Sequence, residues 1–198
     1  MKPFAEIVES NLNSWCGKSW QWDVIPSFGS IVSIKSQTRN IYSIVYHIQT
    51  GSSDPNRTVM SYQKTEEELR KDQPQIFEFL ETKFSCITIA YEEQGEIFYQ
   101  IAPNPPKIHE FVWPTTIDER TVILSNEQYL QLLFNYSNAT FSLDELLLAI
   151  LKTSSDQNIL KAAIFEKFIK MFSLLTNNDY RRLKLFLQRA KNIIKTSK

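Results

Sequence analysis

Two hydrophobic periods divide the chain. Through residue 113 apolar and polar positions alternate in short runs, the period-two signature of strands with one buried face. The runs are AEIVES, SWQWDV, GSIVSIK, NIYSIVYHIQ, FSCITIAY, EIFYQI and KIHEFVW, each rich in β-branched or aromatic residues. In NIYSIVYHIQ the alternation puts Tyr42, Ile44, Tyr46 and Ile48 on one side, and Ser43, Val45, His47 and Gln49 on the other. EEQG at 92–95 predicts a hairpin turned on Gly95. APNPPK at 102–107 breaks the ladder before the last strand, because proline has no N–H to donate. Many short strands in a small unit favour a closed barrel, here of about six strands, since closure removes the exposed edges.

One helical insertion interrupts the strands. TEEELRKDQPQIFEFLETKF has Thr65 as N-cap and Glu66, Glu67 and Glu68 in the first turn, where carboxylates meet the positive end of the helix. Pro74 opens a second short helix with Ile76, Phe77, Phe79 and Leu80 as its apolar side. The insertion, 65–81, is expected to cover one barrel end. From Ser125 the period lengthens to three and four. SNEQ at 125–128 and SLDE at 142–145 match the capping box, and Ser155 and Asn177 are placed as further caps. Helices are predicted near 126–136, 143–152, 156–175 and 178–195. The expected class is therefore α+β: a barrel domain over 1–115 and an all-α domain of about four helices over 120–198.

Charge sharpens this division. The 198 residues carry no net charge, but residues 1–120 hold 11 Lys/Arg against 16 Asp/Glu, and residues 121–198 hold 11 against 6. An acidic first part and a basic second part suit two units with different surfaces. The N-terminus carries Glu6 and Glu9 where a leader would be apolar, and no stretch is long and apolar enough to span a bilayer. The two cysteines make no disulfide framework, so a cytoplasmic or plastid-stromal location is expected.

Few chemistries fit. The glycines, Gly17, Gly29, Gly51 and Gly95, lie at least 12 residues apart, so no phosphate-cradling loop of the Walker or GxGxxG kind exists. Cys16, Cys86, His47 and His109 equal one zinc shell in number but sit on separate segments with no ligand-pair spacing. No nucleophile elbow accompanies either histidine, and both read as structural. EEE at 66–68 and EE at 92–93 read as a helix first turn and a solvated hairpin tip, although a carboxylate pair of the glycosidase kind carries no local signature. No cofactor or metal is expected. In DYRRLKLFLQRAKNIIKTSK, seven Lys/Arg follow Asp179 without another acid. Arg181, Arg182, Lys184, Arg189 and Lys191 then form either a face for nucleic acid or another anionic partner, or the cationic end of an ordinary bundle helix.

Residues 5–113 resemble a HAS-barrel, the small barrel at the N-terminus of HerA-type ATPases and of rotary ATP synthase subunits. The resemblance rests on AEIVES, PSFGSIVSI, IYSIVYHIQTGSSDP, the EEELRKDQPQIFEFL insertion and IAPNPPKIHEFV, in that order. It is nearest to stand-alone versions from cyanobacteria and plastid-bearing lineages. It implies a barrel rim at Asp54, Pro55 and Arg57, with Gly51 permitting the turn. It does not carry over ATPase activity, because no motor with Walker glycines follows. The expectation is a non-enzymatic assembly module that binds a protein partner or a second copy, with Trp20, Trp22, Tyr42, Tyr46 and Trp113 as aromatic anchors.

Overall fold

The computed structural model describes residues 1–198 apart from 37, 55, 57–58, 137–140 and 195–198. Its strands are β1 (Ala5–Ser10), β2 (Ser14–Ser19), β3 (Ile31–Lys35), β4 (Asn40–Ser52), β5 (Leu80–Glu93), β6 (Glu96–Phe98) and β7 (Phe111–Pro114). They run antiparallel in the order β2-β1-β7-β3-β4-β5-β6, and β2 also pairs with β5. Six strands thus close into a barrel, and β6 extends β5 as a hairpin. Gln94 and Gly95 both hold positive φ, as a tight two-residue turn requires.

Alternation explains the closure. Ile7, Trp15, Ile34, Val45, Phe84, Cys86 and Val112 fill the lumen. The Trp15 Nε1–H donates to Ser43 Oγ at 2.9 Å, so these two buried polar groups satisfy each other. Ile31, Tyr42, Ile44, Ile87 and Ile89 point the other way, into a second core shared with the helices. The middle of β4 is therefore buried on both faces, Ile41 through Val45 without a break. A bulge between Val45 and His47 then shifts the alternation by one residue. Ile48 packs on the lumen side, and His47 pairs with Ser85 on the outer wall rather than sharing a face with Val45.

Two strand expectations need correction. The second strand is Ser14–Ser19, not SWQWDV at 19–24. Its interior Gly17 hides it from pattern reading, yet a Cβ there would lie 2.7 Å from Phe84 Cζ, so the lumen leaves no room for a side chain. The last strand begins only at Phe111, and His109 precedes it with φ +72. Gly51 lies within β4, paired with Glu81, and its φ is not positive, so the following turn does not depend on it.

The helices are α1 (Glu66–Asp72), α2 (Gln75–Glu78), α3 (Ile117–Ser125), α4 (Tyr129–Asn135), α5 (Leu143–Asp156), α6 (Ala162–Leu175) and α7 (Tyr180–Ile194). Thr65 is the N-cap of α1 as expected, and with Glu68 it completes a capping box that the sequence reading did not name. That helix buries no residue; the insertion is anchored by Trp22 stacked on Phe77 at 5.8 Å, with the Arg70 guanidinium 4.6 Å from the Phe77 ring. Helix α3, ahead of the first helix expected after the barrel, is capped by Thr116 and Glu119. Asn126 of SNEQ closes α3, and α4 starts without a side-chain cap. Ser142 is the N-cap residue of α5 but makes no capping hydrogen bond. Ser155 is a buried member of α5, and α6 begins at Ala162. Asn177 and Asn178 take the left-handed turn before α7, whose Arg182 amide is held by Asp179 Oδ1 at 3.0 Å.

Leu130, Leu133, Leu146, Leu147 and Phe172 bury against Ile44, Ile87 and Ile89 in a continuous apolar cluster. Each such aliphatic side chain removed from water contributes about 1.5–3 kcal/mol, so the seam between barrel and helices is a major part of the fold. Phe168, Phe172 and Phe186 stack at its helical end, with Phe172 and Phe186 4.6 Å apart. The loop into β3 reaches the seam at Gly29, whose amide donates to the Val45 carbonyl at 2.8 Å.

Candidate functional site

On the outer wall of β1, β2 and β7 large apolar side chains meet solvent. Glu6 pairs with Phe111 across β1 and β7, and Ala5 with Ser19 across β1 and β2, which brings Trp20 beside them. The Trp20 amide donates to the Phe4 carbonyl at 3.1 Å, fixing the backbone where the ring projects. Trp20 and Phe111 stand edge to face with centroids 5.2 Å apart, yet are 52% and 47% exposed. Ile108, 46% exposed, precedes them on the loop into β7, and the Glu6 carboxylate holds His109 Nδ1. Lys18 and Lys83 share Glu81 beside this surface, at 2.6 and 2.9 Å.

Of the five aromatic residues expected as anchors, only Trp20 is exposed. Tyr42 is buried in the shared core, where burial and the adjacent Glu92 carboxylate push its phenol well above the ordinary range. Tyr46 is half-buried against Tyr136 and Phe141. Trp22 is held by Phe77, and Trp113 is half-buried. Phe111 was missed because an alternating strand pattern does not say which face is covered.

At the other barrel region named from sequence, Asp54 forms a local turn. Its Oδ1 accepts the Asn56 amide at 2.9 Å, and its own amide donates to Ser52 Oγ at 3.2 Å. Arg57, the second rim residue expected, lies outside the described residues, as does Pro55.

The basic face of α7 is divided. Arg182 donates to Asp144 at 2.6 Å and lies over the Phe134 and Phe172 rings; Arg189 pairs with Glu145 at 2.6 Å. Both cations are engaged by α5 carboxylates, which tie α7 to the bundle. Arg181, Lys184 and Lys191 are exposed.

The cysteines and histidines do not converge. Cys86 is in the lumen, and burial pushes its thiol well above the ordinary value. Cys16 and His47 flank Ser85 on the outer wall, and His109 sits on Glu6. Burial first, then the nearby Glu9 carboxylate, also raises the Cys16 thiol, which leaves little thiolate for nucleophilic work. Among the described residues, no three or more His, Cys, Asp or Glu side chains gather as a metal site requires. Glu92 accepts from Tyr42 and Asn40, and Glu93 pairs with Arg39 at 3.0 Å, so the hairpin carboxylates serve the barrel end. Among the described residues no helix is long and apolar enough to cross a membrane.

Two of the clefts among the described residues bear on function. One, of about 540 Å³, lies at the barrel mouth between the β3–β4 hairpin and Pro105–Pro106. The other, of about 390 Å³, lies between the β2–β3 loop, the end of β7 and helices α3 and α5. No known family model matches the chain, and no curated protein is similar enough to count as a match.

Proposed function

We propose that the chain is a non-enzymatic adaptor that binds another protein through the outer wall of β1, β2 and β7, in the cytoplasm or a plastid stroma. The observation that carries this reading is the Trp20–Phe111 pair, two large rings fixed by backbone hydrogen bonds and ladder pairing yet about half exposed. Rigid, amphipathic aromatic groups of this kind dominate the binding energy of protein interfaces, because they bury much area at little entropic cost. Flanking charges at Lys18, Glu81 and Lys83 supply the polar rim that such an interface needs. The likeness of residues 5–113 to a HAS-barrel supports the same reading, since in HerA-type ATPases that barrel helps assemble the ring.

The test is affinity purification of the tagged protein beside a Trp20→Ser/Phe111→Ser variant. A hot-spot aromatic is worth about 2 kcal/mol or more on truncation, roughly thirtyfold in affinity, so the partner should be lost from the variant. Both side chains are half-exposed, so the variant keeps its fold. Equal recovery of the partner by the variant refutes this surface.

A further inference from the structure

The cleft of about 390 Å³ carries an arginine, Arg120, that forms no ion pair among the described residues. Arg120 sits in the first turn of α3. Its Nε–H donates to the Thr116 carbonyl at 3.2 Å, an Nη1–H to Gln157 Oε1 at 2.6 Å, and an Nη2–H to the Thr115 carbonyl at 2.9 Å. All three acceptors are neutral. A guanidinium has five N–H groups, so each terminal nitrogen keeps one, the number that a two-pronged bond to a carboxylate uses.

Comparison within the chain makes this arrangement unusual. Arg39 and Arg182, the other partly buried arginines described, each pair with a carboxylate, Glu93 and Asp144. The acid acting on Arg120 is Glu119, but its carboxylate is held by Lys35 at 3.1 Å and the Thr116 amide at 2.7 Å. Partial burial without a counterion costs free energy, and here it lowers the guanidinium's pKa. The cleft is also lined by Phe4, Val24 and Ile25; Val24 and Ile25 are 44% and 46% exposed. The volume falls in the range of small-molecule sites.

We propose that this cleft binds a small monocarboxylate with an apolar body, its carboxylate on Arg120 and its body against Phe4, Val24 and Ile25. One fixed cation matches one negative charge, and the apolar side chains disfavour a compact, fully hydrated anion such as phosphate. The proposal stands independently of the adaptor reading, since it concerns a different surface and a different class of ligand.

The probes are 2-naphthoate and its neutral counterpart 2-naphthamide, titrated into the full chain by calorimetry and thermal shift. Naphthoate should bind saturably and raise the melting temperature, and naphthamide should bind at least tenfold more weakly. Arg120→Gln should weaken naphthoate at least tenfold and leave naphthamide unchanged. Because Arg120 also holds two backbone carbonyls, Ile25→Asp provides a second variant. It keeps every Arg120 hydrogen bond and should repel naphthoate while leaving the melting temperature of the free protein nearly unchanged. No binding of naphthoate at millimolar concentration, equal binding of acid and amide, or undiminished binding by both variants overturns the proposal.

Discussion

Replacing Gly29 by alanine tests the seam between barrel and helices. Gly29 has φ +78, a conformation that costs a residue with a Cβ about 1–2 kcal/mol. The added Cβ would lie 2.8 Å from Ala149 Cβ, 3.1 Å from the Ala149 carbonyl carbon and 3.1 Å from the Ile150 amide nitrogen. Two of those three atoms are helix backbone, which cannot swing aside, and overpacking of this kind costs a further 1–3 kcal/mol or so. The sum, about 2–5 kcal/mol, is large against a total stability of roughly 5–15 kcal/mol. Two controls separate strain from clash. Gly95 has φ +82 but no atom within 4 Å of the added Cβ, so Gly95→Ala should cost only the conformational part. Gly51 has neither positive φ nor neighbour, so Gly51→Ala should be close to neutral. The assay is urea unfolding followed by both tryptophan fluorescence and far-ultraviolet circular dichroism. With a urea slope of about 2 kcal/mol per molar, the Gly29→Ala midpoint falls by roughly 1–2.5 M, in both signals together. A cost no greater than that of Gly95→Ala would refute the packing of this loop on α5.

Phe172→Ala removes a fully buried ring stacked on Phe168 and Phe186 and should cost about 3–5 kcal/mol by the same assay. Glu81 has its carboxyl held below the ordinary range chiefly by Lys18, with burial opposing and Lys83 assisting. A depressed carboxyl stabilises above its unfolded pKa of about 4.3 and loses that contribution as pH falls through the lower folded value, so Glu81→Gln should flatten the acid limb of stability measured from pH 7 to 3. Arg182→Gln should destabilise the chain measurably, because it leaves Asp144 unpaired, while Arg181→Gln and Lys184→Gln should not. If nucleic acid binds at all, those last two substitutions should reduce affinity and its salt dependence in a filter-binding titration.

How much of this could be read from the residues varies with what covers each face. Strands β1, β3, β4 and β5 were legible because their β-branched alternation is strong, and Thr65 as N-cap located the start of α1. Strand β2 was not, because its lumen position is occupied by Gly17 and its outer ones by Cys16 and Lys18, so no apolar alternation survives. Helix α3 escaped because Thr116-x-x-Glu119 directly follows the β7 strand, where a linker is the simpler expectation. Register shifts in β4 cannot be read from alternation, and they move His47 and Ile48 across the wall. The sites depend on what lies opposite in space. Tyr42 and Trp20 carry the same chemical signal, but the helices bury the first and leave the second in solvent. Among the described residues Arg120 differs from the other partly buried arginines, Arg39 and Arg182, in forming no ion pair, a fact of packing that no local motif encodes.

The adaptor reading meets its most direct test in the mass of the protein recovered from its own cells. Native material purified through a tag and sized by light scattering should exceed the single tagged chain, 23.2 kDa plus the tag, by the mass of a stoichiometric protein partner. The excess should vanish when Trp20 and Phe111 are both replaced by serine. A wild-type particle with the mass of one tagged chain and no protein attached, whether or not it carries a small ligand, contradicts the account.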